Sequence, residues 1–313
     1  MPRPPDDNRA TIDELLSDIR DKSFASMADV QRHLERRVNA YNSQPQEELG
    51  GLSPNEMQAL LDSDWSTKGP LIVSDTLSAD DVRGADILHN AVALLTALRD
   101  EGPAKTTKLG NLSREFVGRM LPRFRWRPGY IEHVREMNKV IDEPDVGPLM
   151  ILRNLLELAR LVHKRKGFRI SPAGRVLLDE ARRGELFALL FRTFFRELSL
   201  AWVEHWDGDA GLQQTIAFTF WKLRTETESW ASPDHLARVA WLDTAKEPVP
   251  EPWANLSTDF RGGRFRRRVL EPLVWFGLLE SRDVPAAEKW QRPIEVRKTP
   301  LYDRLLRFDF AAR

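Results

Sequence analysis

Cysteine is absent from the 313 residues of the sequence. Its absence excludes a disulfide framework and zinc sites built on thiolates, and it is typical of proteins in the reducing cytoplasm. No apolar stretch approaches the roughly 18 residues that a membrane-spanning helix requires, and residues 1–16 lack the apolar segment of a secretory signal. We therefore expect a cytoplasmic protein with no membrane partner.

Recognisable catalytic motifs are missing as well. The sequence contains no HExxH helix, no glycine-rich phosphate-binding loop and no GxSxG elbow, and its six histidines are not spaced as metal ligands. One acid–base cluster remains at Glu204, His205 and Asp207, but the sequence indicates no nucleophile beside it. We predict a protein that is not an enzyme and has no cofactor or metal. An enzyme with a dispersed site around those three residues is kept as an alternative.

Positive and negative side chains balance at 47 each, yet they are unevenly distributed. The net charge is −9 over residues 1–101, +9 over 102–183, −5 over 184–254 and +5 over 255–313. A strongly basic segment is expected of a protein that binds a polyanion. The alternative is that acidic and basic segments neutralise each other within one molecule.

The N-terminal region contains sequence signals for three helices. Thr11 and Glu14 have the spacing of a capping box, which predicts a short helix over residues 11–20. Ser53, Pro54 and Glu56 give the same start signal for a later helix. Apolar residues at three- and four-residue steps predict a longer helix between them, at Met27, Val30, Leu34, Val38 and Tyr41.

The segment "NAYNSQPQEELGGLSPNEMQALLDSDW", residues 39–65, resembles a segment found in a loosely defined family of uncharacterised bacterial proteins. It covers under a tenth of the chain. The resemblance implies a bacterial origin and no particular chemistry.

Residues 155–184, "LLELARLVHKRKGFRISPAGRVLLDEARRG", begin as an apolar helix that ends in positive charge. A turn at Gly167, a strand over Phe168–Ile170 and a new helix after Ser171-Pro172 follow. Helices over residues 87–99, 113–121 and 147–162 precede them, with a short extended piece after the first. This order resembles the winged helix-turn-helix superfamily, which implies a small module that binds DNA or protein. The resemblance assigns phosphate contact to the wing, at Lys164, Arg165, Lys166 and Arg169.

Residues 212–310 repeat the same order. Three predicted helices are followed by a strand with Ile294 and Val296 on one face, and Thr299-Pro300 starts a terminal helix. We predict a tandem of related modules, although any helix-rich chain could show such an order by coincidence. In this second copy the third helix would enter the major groove by its N-terminal residues. The predicted contacts of this copy are Arg261, Arg264, Arg266, Arg267, Arg268, Lys289, Arg292, Arg297 and Lys298.

The apolar segment between the copies, "ELFALLFRTFFRELSLAWVEHW", predicts a buried helix. The predicted architecture is mainly α with small β-wings, as tandem winged-helix modules joined by this buried central helix behind a helical N-terminal region. The predicted boundaries are an acidic N-terminal region over 1–84, a first module over 85–183, the central helix over 184–211 and a second module over 212–313.

The function that these observations favour is nucleic-acid binding, with DNA as the leading partner and a regulatory role by analogy of fold alone. The apolar third helix of the first copy departs from a groove-reading helix, so base reading is assigned to the second copy. One alternative is an adaptor that binds a protein partner or a second copy of the chain, because winged helices also serve as interaction modules and the net charge is zero.

Overall fold

The computed structural model of the chain describes Ser17 and residues 22–204, 211–242, 257–285 and 293–310. The described chain is mainly helical with small antiparallel strand pairs, as predicted at that level. It is divided into two compact units, residues 1–59 and residues 60–313. The predicted helix over residues 11–20 lies outside the described residues except at Ser17. No helix in the described ranges has the length and apolar character needed to cross a membrane.

The first unit contains α1 (Met27–Asn42) and the first part of α2 (Pro54–Leu61). The predicted capping box of α2 is present: the Ser53 hydroxyl accepts from the Glu56 N–H, and the Glu56 carboxylate accepts from the Ser53 N–H at 2.8 Å. The apolar stripe predicted for α1 exists in the helix, yet α1 has no buried residue. The apolar periodicity therefore predicted the position of this helix, but it did not predict that the apolar side chains stay unburied.

The first half of the second unit carries the helices and strands predicted before residue 184. The helix predicted over residues 147–162 ends earlier, at Leu158, because Val162 pairs with Ile170 in a strand. Ser171 caps the next helix by accepting from the Gly174 N–H. The elements are β1 (Leu71–Val73), α3 (Ala79–Val82), α4 (Asp86–Asp100), α5 (Arg114–Met120), α6 (Tyr130–Met137), α7 (Gly147–Leu158), β2 (Val162–Lys164), β3 (Phe168–Ile170) and α8 (Pro172–Leu177).

A π-helical segment, Arg266–Leu270, joins two helices in the second half of this unit. The Glu271 N–H donates to the Arg266 carbonyl there, and Pro272 has no N–H to offer Arg268, which favours the wider turn. The elements are α9 (Arg183–Arg196), α10 (Gly211–Gln214), α11 (Ile216–Glu226), α12 (Pro233–Ala240), α13 (Ser257–Phe265), α14 (Glu271–Trp275), β4 (Leu279–Asp283), β5 (Ile294–Lys298), α15 (Pro300–Leu305) and β6 (Leu306–Phe308).

Helix α9 lies in the core of the second unit. Its four phenylalanines surround Phe276, whose ring centroid lies 5.2 Å from that of Phe191 and 5.6 Å from that of Phe187. The segment predicted as a buried central helix is buried along one side of α9, but its helix ends at Arg196. A short 3-10 turn over Trp202–Glu204 follows instead of a continued helix.

The strands of the described residues form three antiparallel pairs, β1–β6, β2–β3 and β4–β5. The terminal helix predicted from Thr299-Pro300 ends at Leu305, which corrects its predicted extent. Leu306 adopts an extended backbone because it pairs with Val73 of β1.

One order of elements occurs twice in the second unit. With α6 left out, the order α4, α5, α7, β2–β3 and α8 is matched by α11, α12, α13–α14, β4–β5 and α15, and α6 has no counterpart among the described residues of the second series. In each series one alanine forms an isolated bridge to the second strand of the hairpin: Ala104 bridges Phe168, and Ala231 bridges Val296.

Candidate nucleic-acid interface

Strands β2 and β3 form a tight hairpin, residues 162–170, which we call the basic hairpin. Its turn uses left-handed backbone at Lys166 (φ 52°) and Gly167 (φ 109°). A side chain at Gly167 would also collide with the Ala104 carbonyl, since its Cβ would lie 2.7 Å from that oxygen. The apolar residues Phe168 and Ile170 are buried while Arg169 points to solvent. The strand predicted over Phe168–Ile170 is therefore present, with its middle residue exposed.

Residues 105–113 form a second projection, which we call the Leu109 loop. Thr106 and Leu112 bridge at its base, and the Gly110 N–H donates to the Thr107 carbonyl at 3.0 Å to close the turn. The Thr107 N–H donates to the Asn111 carbonyl at 2.8 Å. These bonds place Lys108 and Leu109 at the tip of a closed turn.

The two projections are neighbours. The Ala104 N–H donates to the Phe168 carbonyl and the Ala104 carbonyl accepts in return, which fixes the start of the Leu109 loop against β3. Lys164 extends over the Phe168 ring at 5.7 Å, and its Nζ occupies the space that a Cβ at Gly110 would need. Six exposed cations consequently share this part of the surface: Lys105, Lys108, Lys164, Arg165, Lys166 and Arg169.

Within the part of the chain that the structure describes, none of these six cations forms an ion pair. The carboxylates of Glu101 and Glu143 bind other arginines. Glu101 accepts hydrogen bonds from Arg123 and Arg119, which lower the pKa of its carboxyl group. The buried Glu143 accepts from Arg153 Nε at 2.6 Å. The positive charge of the basic hairpin is therefore presented to solvent.

In the C-terminal hairpin, formed by β4 and β5, the cations of the described strands are paired with nearby carboxylates. Arg297 pairs with Glu280 at 2.8 Å, and Lys298 pairs with Asp303 at 2.8 Å. Arg282 and Arg297 also lie over the Trp230 ring, at 4.5 and 4.8 Å from its centroid. Arg297 and Lys298 are thus present where a wing was predicted, but their charges are paired within the molecule.

The arginines of the predicted recognition helix differ in their exposure to solvent. Arg261 and Arg267 are exposed, whereas Arg264 and Arg268 are only 3% and 1% exposed. Arg266 pairs with Glu271 at 2.9 Å. Arg264 and Arg268 were predicted to contact a DNA groove, and in the structure both side chains are enclosed. Lys289 and Arg292 lie outside the described residues.

Two side chains beside the basic hairpin were not predicted as site residues, namely Leu109 and Asn111. Leu109 is 90% exposed, and Asn111 is half-buried without a side-chain hydrogen bond among the described residues. The local signal was the turn at Gly110-Asn111, which marks where the chain reverses. The pairing of Ala104 with Phe168, which local sequence does not reveal, places that turn beside the basic hairpin.

The described residues also bear on the other site classes. They include no group of three or more histidine, aspartate or glutamate residues that could hold a metal ion. The acid–base cluster predicted as an alternative cannot be assembled from them: His205 and Asp207 lie outside the described ranges, as does the side chain of Glu204. A separate open cleft of about 600 Å³ lies beside Trp65 and Arg196, whose guanidinium stacks 5.4 Å from the indole.

Comparison with known proteins gives one similarity. Residues 83–183 match the family described as the Y4jL N-terminal domain, which is uncharacterised. The match spans less than half of the chain, and it contains the basic hairpin and the Leu109 loop but not residues 39–65. Neither the curated proteins nor the solved structures include a significant match.

Proposed function

We propose that this chain binds nucleic acid, with duplex DNA as the principal partner, through the basic hairpin. The observation that carries the proposal is the set of four exposed hairpin cations, Lys164, Arg165, Lys166 and Arg169, without ion pairs among the described residues. Unpaired arginine and lysine side chains on a projecting hairpin suit contact with phosphate oxygens. A DNA-binding role implies a location in the bacterial cytoplasm, in keeping with the lack of cysteine.

The same proposal takes residues 85–183 and 212–313 as two winged-helix modules. Its support is the repeated order of helices and hairpins, each hairpin extended by one bridging alanine. The modules differ in role. The first presents its charge outward, while the pairing of Arg282, Arg297 and Lys298 makes the second a scaffold or protein-contact module. A regulatory role is an extension of this proposal by analogy of fold.

The test measures binding of a short fluorescent DNA duplex to the full chain between about 50 and 200 mM salt. Replacing Lys164, Arg165, Lys166 and Arg169 with alanine is expected to weaken binding at low salt. It should also reduce the slope of log affinity against log salt by about 0.9 for each phosphate that the variant no longer neutralises. All four side chains are exposed, so the fold should be retained and thermal melting should change little.

A matched control changes charge on the other hairpin. The double variant Arg282→Gln, Arg297→Gln removes two cations that already pair with Glu295 and Glu280. We expect it to bind duplex with the affinity and salt slope of the unaltered chain. If the fourfold variant keeps the unaltered slope, or if the unaltered chain binds no duplex at low salt, the proposal is wrong.

A further inference from the structure

The Leu109 loop has features that phosphate contact does not explain. Leu109 is a large apolar side chain, 90% exposed, at the tip of a turn closed by three hydrogen bonds between Thr107 and residues 110–111. Single exposed apolar residues are common on protein surfaces and need no function. The environment of this one distinguishes it, because it lies within a surface that otherwise carries six cations.

The neighbouring side chains supply the two other kinds of contact that nucleic acids require. Lys108 precedes Leu109 and is exposed, as expected for a phosphate contact. Asn111 is half-buried, and its amide has no hydrogen bond among the residues that the structure describes. Asparagine is a base-reading side chain, since its amide can donate to adenine N3 or thymine O2 in the minor groove. One short loop therefore holds a cation, an apolar tip and an amide available for base contact.

We infer that the Leu109 loop contacts the bases of the bound nucleic acid while the basic hairpin holds its backbone. This inference rests on the proposed function and names its base-contacting part. Leucine is among the apolar side chains that proteins insert at base steps, and insertion partly unstacks the step. The rigid turn suits this role because little conformational freedom is lost on binding.

An anionic lipid surface is the other partner that cations with an apolar tip could fit. The described loop offers it one large apolar side chain, and burying a single leucine gives only weak attachment to a bilayer. The Asn111 amide has no role in such a contact. Both features favour bases over acyl chains.

The experiment uses the full chain, a duplex with 2-aminopurine at successive positions, and vesicles of phosphatidylglycerol and phosphatidylcholine. Leu109→Ala is expected to weaken duplex affinity about tenfold, because partial burial of the leucine is removed, without changing the salt slope. Lys108→Ala should instead lower the slope by about 0.9. Binding of the unaltered chain should raise 2-aminopurine fluorescence, and Leu109→Ala should remove that rise.

Asn111→Ala is expected to retain duplex affinity within a few-fold while losing base preference in selection from a random duplex pool. Val176→Ala is the control, because Val176 is 51% exposed on α8, outside both projections. It should leave affinity, fluorescence and preference unchanged.

The outcomes separate this inference from the proposed function. Unaltered affinity and fluorescence with Leu109→Ala, together with loss of binding in the fourfold hairpin variant, would overturn the base contact and leave backbone binding intact. Absence of duplex binding by the unaltered chain overturns both. Vesicle binding that depends on Leu109, without duplex binding, replaces both with a lipid partner.

Discussion

Phe276→Ala is expected to lower the free energy of unfolding of the second unit by about 3–5 kcal/mol, the cost of truncating a fully buried phenylalanine. Phe276 follows α14, and its ring meets Phe187, Phe191, Phe194 and Phe195 of α9 at centroid distances of 5.2 to 6.0 Å. Removing it leaves a cavity against α9 and eliminates edge-to-face ring packing. Urea unfolding followed by circular dichroism measures the change.

Phe276→Leu is the matched control for this prediction. Leucine retains most of the apolar volume, so the destabilisation should be clearly smaller than with alanine. If the two variants unfold at the same urea concentration as the unaltered protein, the ring cluster does not hold α9 to the end of α14.

Glu143→Ala is expected to destabilise the second unit by about 3–5 kcal/mol, because it leaves a nearly buried arginine without its principal partner. Glu143 is 0% exposed and accepts from the Leu112 N–H and from Arg153 Nε, each at 2.6 Å. It therefore links the Leu109 loop to α7, and its removal should also weaken duplex binding. Thermal melting and the duplex titration measure the two effects.

Glu157→Ala tests whether the burial of Glu143 causes the large destabilisation expected of Glu143→Ala. Glu157 binds the same Arg153 at 2.7 Å but is partly exposed, so its removal should cost about 1 kcal/mol or less. Glu143→Gln should fall between these variants because it keeps an acceptor for the Leu112 N–H. Equal destabilisation by Glu143→Ala and Glu157→Ala would show that burial of the carboxylate does not determine the cost of removing it.

Local signals in the sequence predicted most of the elements. Ser171-Pro172 and Thr299-Pro300 start helices at those positions because a hydroxyl cap and a proline act over one turn. Strand β4 was missed, because "LESRD" continues an apolar helix and looks like its charged end. Its strand state depends on pairing with β5, which begins eleven residues after β4 ends.

The candidate site was predicted in part for the same reason. The cations of the basic hairpin lie close together in the sequence, around a single turn. Their exposure to solvent therefore follows from the local sequence. The pairing of Arg297 with Glu280 depends on the register of β4 with β5. Because β4 was not predicted as a strand, this ion pair was not predicted either. The burial of Arg264 and Arg268 had an available signal. Each precedes an apolar residue, Phe265 or Val269, and these recur at a helical step of four.

The pairing of β1 with β6 has a consequence for synthesis of the chain. Leu71–Val73 leave the ribosome well before Leu306–Phe308 are translated. The helices and hairpins between them are local and can form as they emerge, but β1 lacks its partner strand until β6 has been made. Its unpaired amide edge is open to pairing with other nascent chains during that interval, so the second unit is most prone to aggregation before β6 emerges.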